Sequence, residues 1–212
     1  MSKNPLAALA LACALLTACG SETYSGAKPE SEAEDPAKLV QECPPIVAKA
    51  PASALNQVQP GAEFTADLGD GRQAELTVDG AQIVRSVPDR FGKSGSFRAP
   101  ADASLLVLNV RFVNRSEESL EAADTIGKSF DVRTDDNLFK RADATEACST
   151  ISPSSASEKD KTTSPETDVS KGDGYSTVLV YTVPTADIMK SGLSWASATA
   201  RVQVPLQIKQ SN

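Results

Sequence analysis

Leu106, Leu108, Val110 and Phe112 recur at every second position, and Asn109 and Arg111 stand between the last three of them. The same spacing returns near the C-terminus. There Val202, Val204, Leu206 and Ile208 alternate with Gln203, Gln207 and Lys209, and Arg201 precedes the run. A period of two is the side-chain repeat of a β-strand with one buried face. No long window of the chain carries the 3.6-residue repeat of an amphipathic helix, so this period decides the fold class.

Shorter stretches repeat the pattern. Phe64, Ala66 and Leu68 alternate with Thr65 and Asp67, and Ala74, Leu76 and Val78 alternate with Glu75 and Thr77. Gly69-Asp70-Gly71-Arg72 between them predicts a hairpin. Asp79-Gly80 marks a further turn or bulge before Ala81 to Val87. Phe130 and Val132 suggest one short strand, Leu138-Phe139 another, and Tyr175 to Val183 is β-branched and aromatic throughout. Pro205 falls on the outward face of the last strand and removes a ladder donor, which predicts an edge position or a bulge. Pro184 to Lys190 suits one turn of helix before Trp195. Seven or eight short strands separated by turns predict an all-β protein, an antiparallel sandwich over residues 56–209.

The N-terminus reads differently. Leu6 to Ala18 is thirteen residues without a charge, behind a short segment carrying Lys3. A membrane-spanning helix needs about 20 apolar residues, so this run has the length of a signal-peptide core instead. It ends in Leu16-Thr17-Ala18-Cys19-Gly20, which resembles the lipobox of bacterial lipoprotein precursors. That likeness implies a signal peptide over 1–18, cleavage before Cys19, and a diacylglyceryl group on its sulfur. Residues 19–55 then read as a lipidated cysteine followed by an acidic tether. Positions 20–42 hold six acids against two lysines and few large apolar side chains. Asp35 to Glu42 suits a short helix stopped at Pro44-Pro45.

Charge and cysteine usage narrow the setting. The chain carries net charge −7, and removal of residues 1–18 takes away only Lys3, which leaves −8 on the side chains. That acidic balance argues against nucleic acid as a partner and against a basic patch for anionic lipid headgroups. Cys13 leaves with the signal peptide and Cys19 is used by lipid. Cys43 and Cys148 remain as an even pair in an oxidising compartment, which predicts one disulfide. A bridge across 105 positions contributes roughly 4–5 kcal/mol in the chain-entropy picture. Residues 149–170 hold seven Ser, four Thr and two Pro, the composition of a solvent-exposed loop.

The chain has no histidine. That excludes Ser-His-Asp and Cys-His nucleophilic sites, His-ligated zinc, and the commonest general base near neutral pH. Ser25-Gly26-Ala27-Lys28 has the spacing of a Ser-Lys acylase but lies in the tether. Gly127-Lys128-Ser129 echoes the end of a phosphate loop, yet Ala122 stands where its first glycine belongs. Two acidic clusters remain: Glu117, Glu118, Glu121 and Asp124, and then Asp131, Asp135 and Asp136 beside Asn137. Neither has the alternate spacing and central glycine of a calcium loop, and Asp135-Asp136-Asn137 is equally good turn chemistry. No catalytic residue, cofactor or metal is therefore expected.

Leu105 to Ser116, Phe130-Asp131-Val132, and Lys171-Gly172-Asp173-Gly174 followed by Tyr175 to Pro184 together resemble a family of Gram-positive secreted proteins and lipoproteins. Its best-known relative is the mycobacterial immunoprotective extracellular protein. The resemblance covers about residues 57–209 and implies an immunoglobulin-like sandwich. It brings no catalytic residues, and the Ser/Thr-rich stretch at 149–170 departs from it. The expected function is thus a non-catalytic binding module of the cell envelope, anchored to the membrane through lipid on Cys19 and contacting an unidentified envelope protein or ligand. A small-ligand or ion-binding lipoprotein serving a transporter, or a hydrolase with paired carboxylates, stays open as an alternative.

Overall fold

The computed structural model describes residues 40–88, 96–142, 148, 168–190 and 192–209. Residues 1–39, which hold the expected signal peptide and Cys19, and the stretch 149–167 lie outside the described residues. In chain order the elements are β1 (Val40–Glu42), β2 (Val47–Lys49), β3 (Asn56–Gln57), β4 (Phe64–Gly69), β5 (Arg72–Val84), β6 (Ser86–Pro88), β7 (Ser96–Arg98), β8 (Ala103–Asn114) and β9 (Leu120–Glu121). There follow α1 (Ala122–Ser129), β10 (Asp131–Arg133), β11 (Asn137–Phe139), β12 (Asp168–Val169), β13 (Gly174–Pro184), α2 (Thr185–Ile188), β14 (Ser194–Ser197), β15 (Val202–Pro205) and β16 (Ile208–Lys209). The chain forms the expected all-β sandwich.

Its hub is β8. It pairs antiparallel with β13 from Ala103↔Pro184 to Val113↔Gly174, and on its other edge with β5. Leu106, Leu108, Val110 and Phe112 point to one face and are buried, as their spacing predicts. Against that face packs the six-stranded sheet β2-β11-β10-β14-β15-β3, which contributes Val132, Phe139, Trp195, Val202 and Val204 to the same core. Phe130 stacks on Trp195 with ring centroids 3.9 Å apart. Trp195 Nε1 donates to the Tyr181 hydroxyl at 2.8 Å, and that hydroxyl donates to the Phe130 carbonyl at 3.1 Å. An aromatic cluster therefore fills the centre with its polar atoms satisfied.

The opposite face of β8 is split. Asn109 and Arg111 are exposed, but Leu105 and Val107 are buried in a second core with Val87, Phe97, Val180, Cys43 and Cys148. A small sheet, β1-β7-β6, covers that half. The run Leu105-Leu106-Val107-Leu108 is continuously apolar because both of its faces are covered. Further along the strand only one face is covered, and the alternation begins.

Four expectations are corrected. The sandwich is not purely antiparallel: β1 with β7, β15 with β3, and β16 with β5 pair in parallel. The tether expected over 19–55 does not reach that far, because β1 and β2 lie in sheets; β3 belongs to the expected sandwich. Nor is there a helix at 40–42, which forms β1. Every residue of these three strands is exposed, so side-chain burial does not dock them. Backbone ladders do, with added bonds such as Cys43 N to Arg98 O at 2.8 Å and Ala50 N to Asp136 O at 2.9 Å. Composition reports side chains, and here the backbone carries the pairing. Finally, the run Val202 to Ile208 is two strands in two sheets. Leu206 and Ile208 are only partly buried, and Leu206 N bonds to Leu193 O at 2.9 Å as the chain crosses between sheets. Strand β3 pairs β15 only at Val202 and Gln203, so Pro205 occupies an unpaired edge where its missing N–H costs nothing.

Candidate functional site

Cys43 and Cys148 form a disulfide with Cα atoms 5.9 Å apart and both residues fully buried. Cys19 and the Ser25–Lys28 pair lie outside the described residues. The two acidic clusters are dispersed into ion pairs and turns. Glu117 pairs with Lys171, Asp131 with Lys140 at 2.5 Å, and Asp124 with Lys128 and Arg141. Thr134 to Asn137 closes the turn between β10 and β11, with Thr134 N bonded to Asn137 O at 2.9 Å and Asn137 N to Thr134 Oγ1 at 3.1 Å. Among the described residues no three Asp, Glu, Cys or His side chains gather as a metal site.

Gly127-Lys128-Ser129 closes helix α1, which the missing 3.6-residue repeat did not reveal because the helix is only eight residues long. A phosphate loop needs the start of a helix, where free N–H groups point outward, and this triplet sits at the other end. Ser129 Oγ donates to Thr125 O at 2.8 Å. The Arg141 guanidinium packs against Gly127 where a Cβ would stand, and it reaches Asp124 at 3.2 Å. Burial pushes the Asp124 carboxyl up, but the hydrogen bonds and charges of Lys128 and Arg141 outweigh it and hold the group below the usual carboxylate range. This node fastens α1 to the sheet.

A concave feature among the described residues lies elsewhere. Two chain segments cross from the six-stranded sheet to the edge of β5. One runs from β3 through the turn Gln59-Pro60-Gly61-Ala62, closed by Ala62 N to Gln59 O at 3.0 Å, into β4. Gly61 takes φ +78°, which suits glycine after proline in a type II turn. The other runs from β15 through Pro205, Leu206 and Gln207 into β16. Between them opens a cleft of about 350 Å³ floored by Val78, Ala81, Leu206 and Ile208. Its back wall is a β-bulge, where the register between β5 and β8 shifts between Val78 and Gly80. The bulge turns Asp79 toward β8, and its carboxylate takes two bonds from Arg111, at 2.5 and 2.8 Å. The Asp79-Gly80 and Pro205 signals were legible in the sequence. Their meeting was not, since it depends on two long-range crossings.

No protein-family model matches the chain, and no curated protein matches it. Among solved structures, it is similar to a candidate lipoprotein of Bacillus subtilis, ycdA, at 13% identity over 68% of this chain, with a TM-score of 0.37. This chain spans 38% of ycdA's length. An uncharacterized β-sandwich protein of Clostridium difficile matches at 9% identity over 76% of this chain and 99% of that one, with a TM-score of 0.40. A candidate lipoprotein of Staphylococcus aureus matches at 7% identity over 71% of this chain and 100% of that one, also at 0.40.

Proposed function

We propose that this chain is a lipid-anchored extracytoplasmic protein whose sandwich binds a partner without transforming it. Two features support the anchoring. Leu16 to Cys19 has lipobox chemistry. The Cys43–Cys148 disulfide suits an oxidising compartment. Twenty-one residue steps separate Cys19 from Val40, the first residue of β1, and they span at most about 75 Å. The sandwich therefore works within that distance of the bilayer.

The observation that carries the non-catalytic reading is the state of Asp79. It is the one ionisable side chain among the described residues lining the cleft, and it is held by Arg111. Both of its carboxylate oxygens accept from the Arg111 guanidinium, so the pair turns its polar atoms to each other. The cleft instead offers backbone edges and an apolar floor, which serve recognition.

Cell fractionation of a Cys19→Ala variant tests the anchor. The variant is expected to leave the membrane fraction or to accumulate as uncleaved precursor. Membrane-bound protein of mature size would overturn the anchoring. In-cell crosslinking followed by mass spectrometry tests the binding reading, with crosslinks to one recurring envelope component expected.

A further inference from the structure

The column of strands along the outer edge of β5 is interrupted. Strand β4 pairs with β5 as far as Phe64↔Leu76, and β16 begins at Ile208↔Ala81. Between these points β5 pairs only with β8, on its other edge. Strands β4 and β16 both start at this gap and run away from it in opposite directions. Thr77 to Gly80 thus present an edge with no strand beside it, and since the bulge sets these four residues against only Asn109 to Arg111 of β8, it is about 10 Å long at roughly 3.3 Å per residue. The cleft described above opens along this gap.

We propose that the gap receives a three-residue extended peptide segment of a partner protein, seated as a strand in the column that β4 and β16 already occupy. An edge of this kind is matched by an extended backbone, which supplies donors and acceptors at the strand repeat. The column on either side sets the occupant's position, at the ordinary 4.7–4.9 Å interstrand spacing. Pro60 and Pro205 flank the opening and bring no N–H of their own to compete for its carbonyls. Val78, Ala81, Leu206 and Ile208 favour a small or apolar side chain pointing inward. The Asp79 carboxylate is held by Arg111, so a neutral backbone fits the wall better than an anion does. This proposal names the partner class for the binding reading and does not depend on the lipid anchor.

Gly80 makes the proposal testable. Its φ is not in the left-handed region, and a Cβ built there meets nothing within 4 Å. Gly80→Leu should therefore fold normally and narrow the opening that Gly80 lines. Gln207→Trp, at an exposed lining position, blocks the same opening from the opposite wall. The purified full chain is used to select from a displayed library of random octapeptides, with the Gly80→Leu chain as counter-selection. Enriched peptides are expected to lose at least tenfold in affinity against either variant. Methylating the central backbone nitrogens of a selected peptide should weaken it by a similar factor. Backbone amide shifts on binding should centre on Thr77 to Ala81. The proposal is overturned if no peptide is enriched over the Gly80→Leu chain, or if the shifts map elsewhere. It is equally overturned if N-methylated peptides bind as well as their parents, since the cleft would then read side chains alone. Cys19→Ala fractionation is unaffected by any of these outcomes, so failure here leaves the anchoring standing.

Discussion

The indole nitrogen of Trp195 donates to the hydroxyl of Tyr181 at 2.8 Å, in the middle of a core where both residues are fully buried. The hydroxyl in turn donates a hydrogen bond to the Phe130 carbonyl. Removing it orphans a donor and an acceptor together. Tyr181→Phe is expected to cost about 1–3 kcal/mol in urea unfolding, although it deletes one oxygen and leaves the ring in place. Burial pushes the Tyr181 phenol well above its ordinary range, so the cost should not vary with pH between 6 and about 9. A loss that shrank across that range would contradict this account.

Thr182 gives the reverse case. It is fully buried, and its Oγ1 has no hydrogen-bond partner. Thr182→Val replaces that hydroxyl by a methyl group of similar size. The variant is expected to be at least as stable as the parent, with a gain of up to about 1–2 kcal/mol in the same measurement. A clear loss would mean that the hydroxyl is engaged.

Two aspartates should pull the acid limb of stability in opposite directions. Asp124 is held below the usual carboxylate range, so its contribution is present above its unfolded pKa and is lost as pH falls through the folded one. Burial raises Asp131 above that range despite the bond from Lys140, so its charged form is disfavoured in the fold. Stability linked to Asp131 is full below its unfolded pKa and is lost as pH rises through the folded one. Asp124→Asn should lower the urea midpoint at pH 7 and flatten the fall toward pH 3. Asp131→Asn should raise the midpoint at pH 7. Like signs for the two variants at pH 7 would refute the assignment.

The disulfide should matter most to the strands that side-chain burial does not hold. Cys43→Ser with Cys148→Ser is expected to cost about 2–5 kcal/mol. Cleavage by trypsin at Lys49, an exposed residue of β2, should accelerate before any cut within β8. Simultaneous cleavage at both places would show that β1 and β2 are no looser than the core.

What the sequence determined by itself is the local half of the structure. Side-chain alternation is a property of adjacent residues, so β4, β5 and β8 and their buried faces were readable along the chain, and β13 was readable as a β-branched and aromatic run. So was the Asp70-Gly71 turn, where both residues take positive φ, 54° and 75°, as the two-residue hairpin requires. The even pair Cys43 and Cys148 was readable by count. Tertiary structure decided what depends on distant backbone. It placed exposed β1, β2 and β3 in sheets, because backbone bonds leave no trace in side-chain pattern. It divided Val202 to Ile208 between two sheets, since Leu193 and Ala81 lie remote in sequence from the residues they receive. It also covered Leu105 and Val107 with a second layer, which a period-two pattern read on one strand has no means of reporting. The gap beside Thr77 to Gly80 exists only because two crossings enter the edge of β5 at different heights, and nothing within either segment specifies the other.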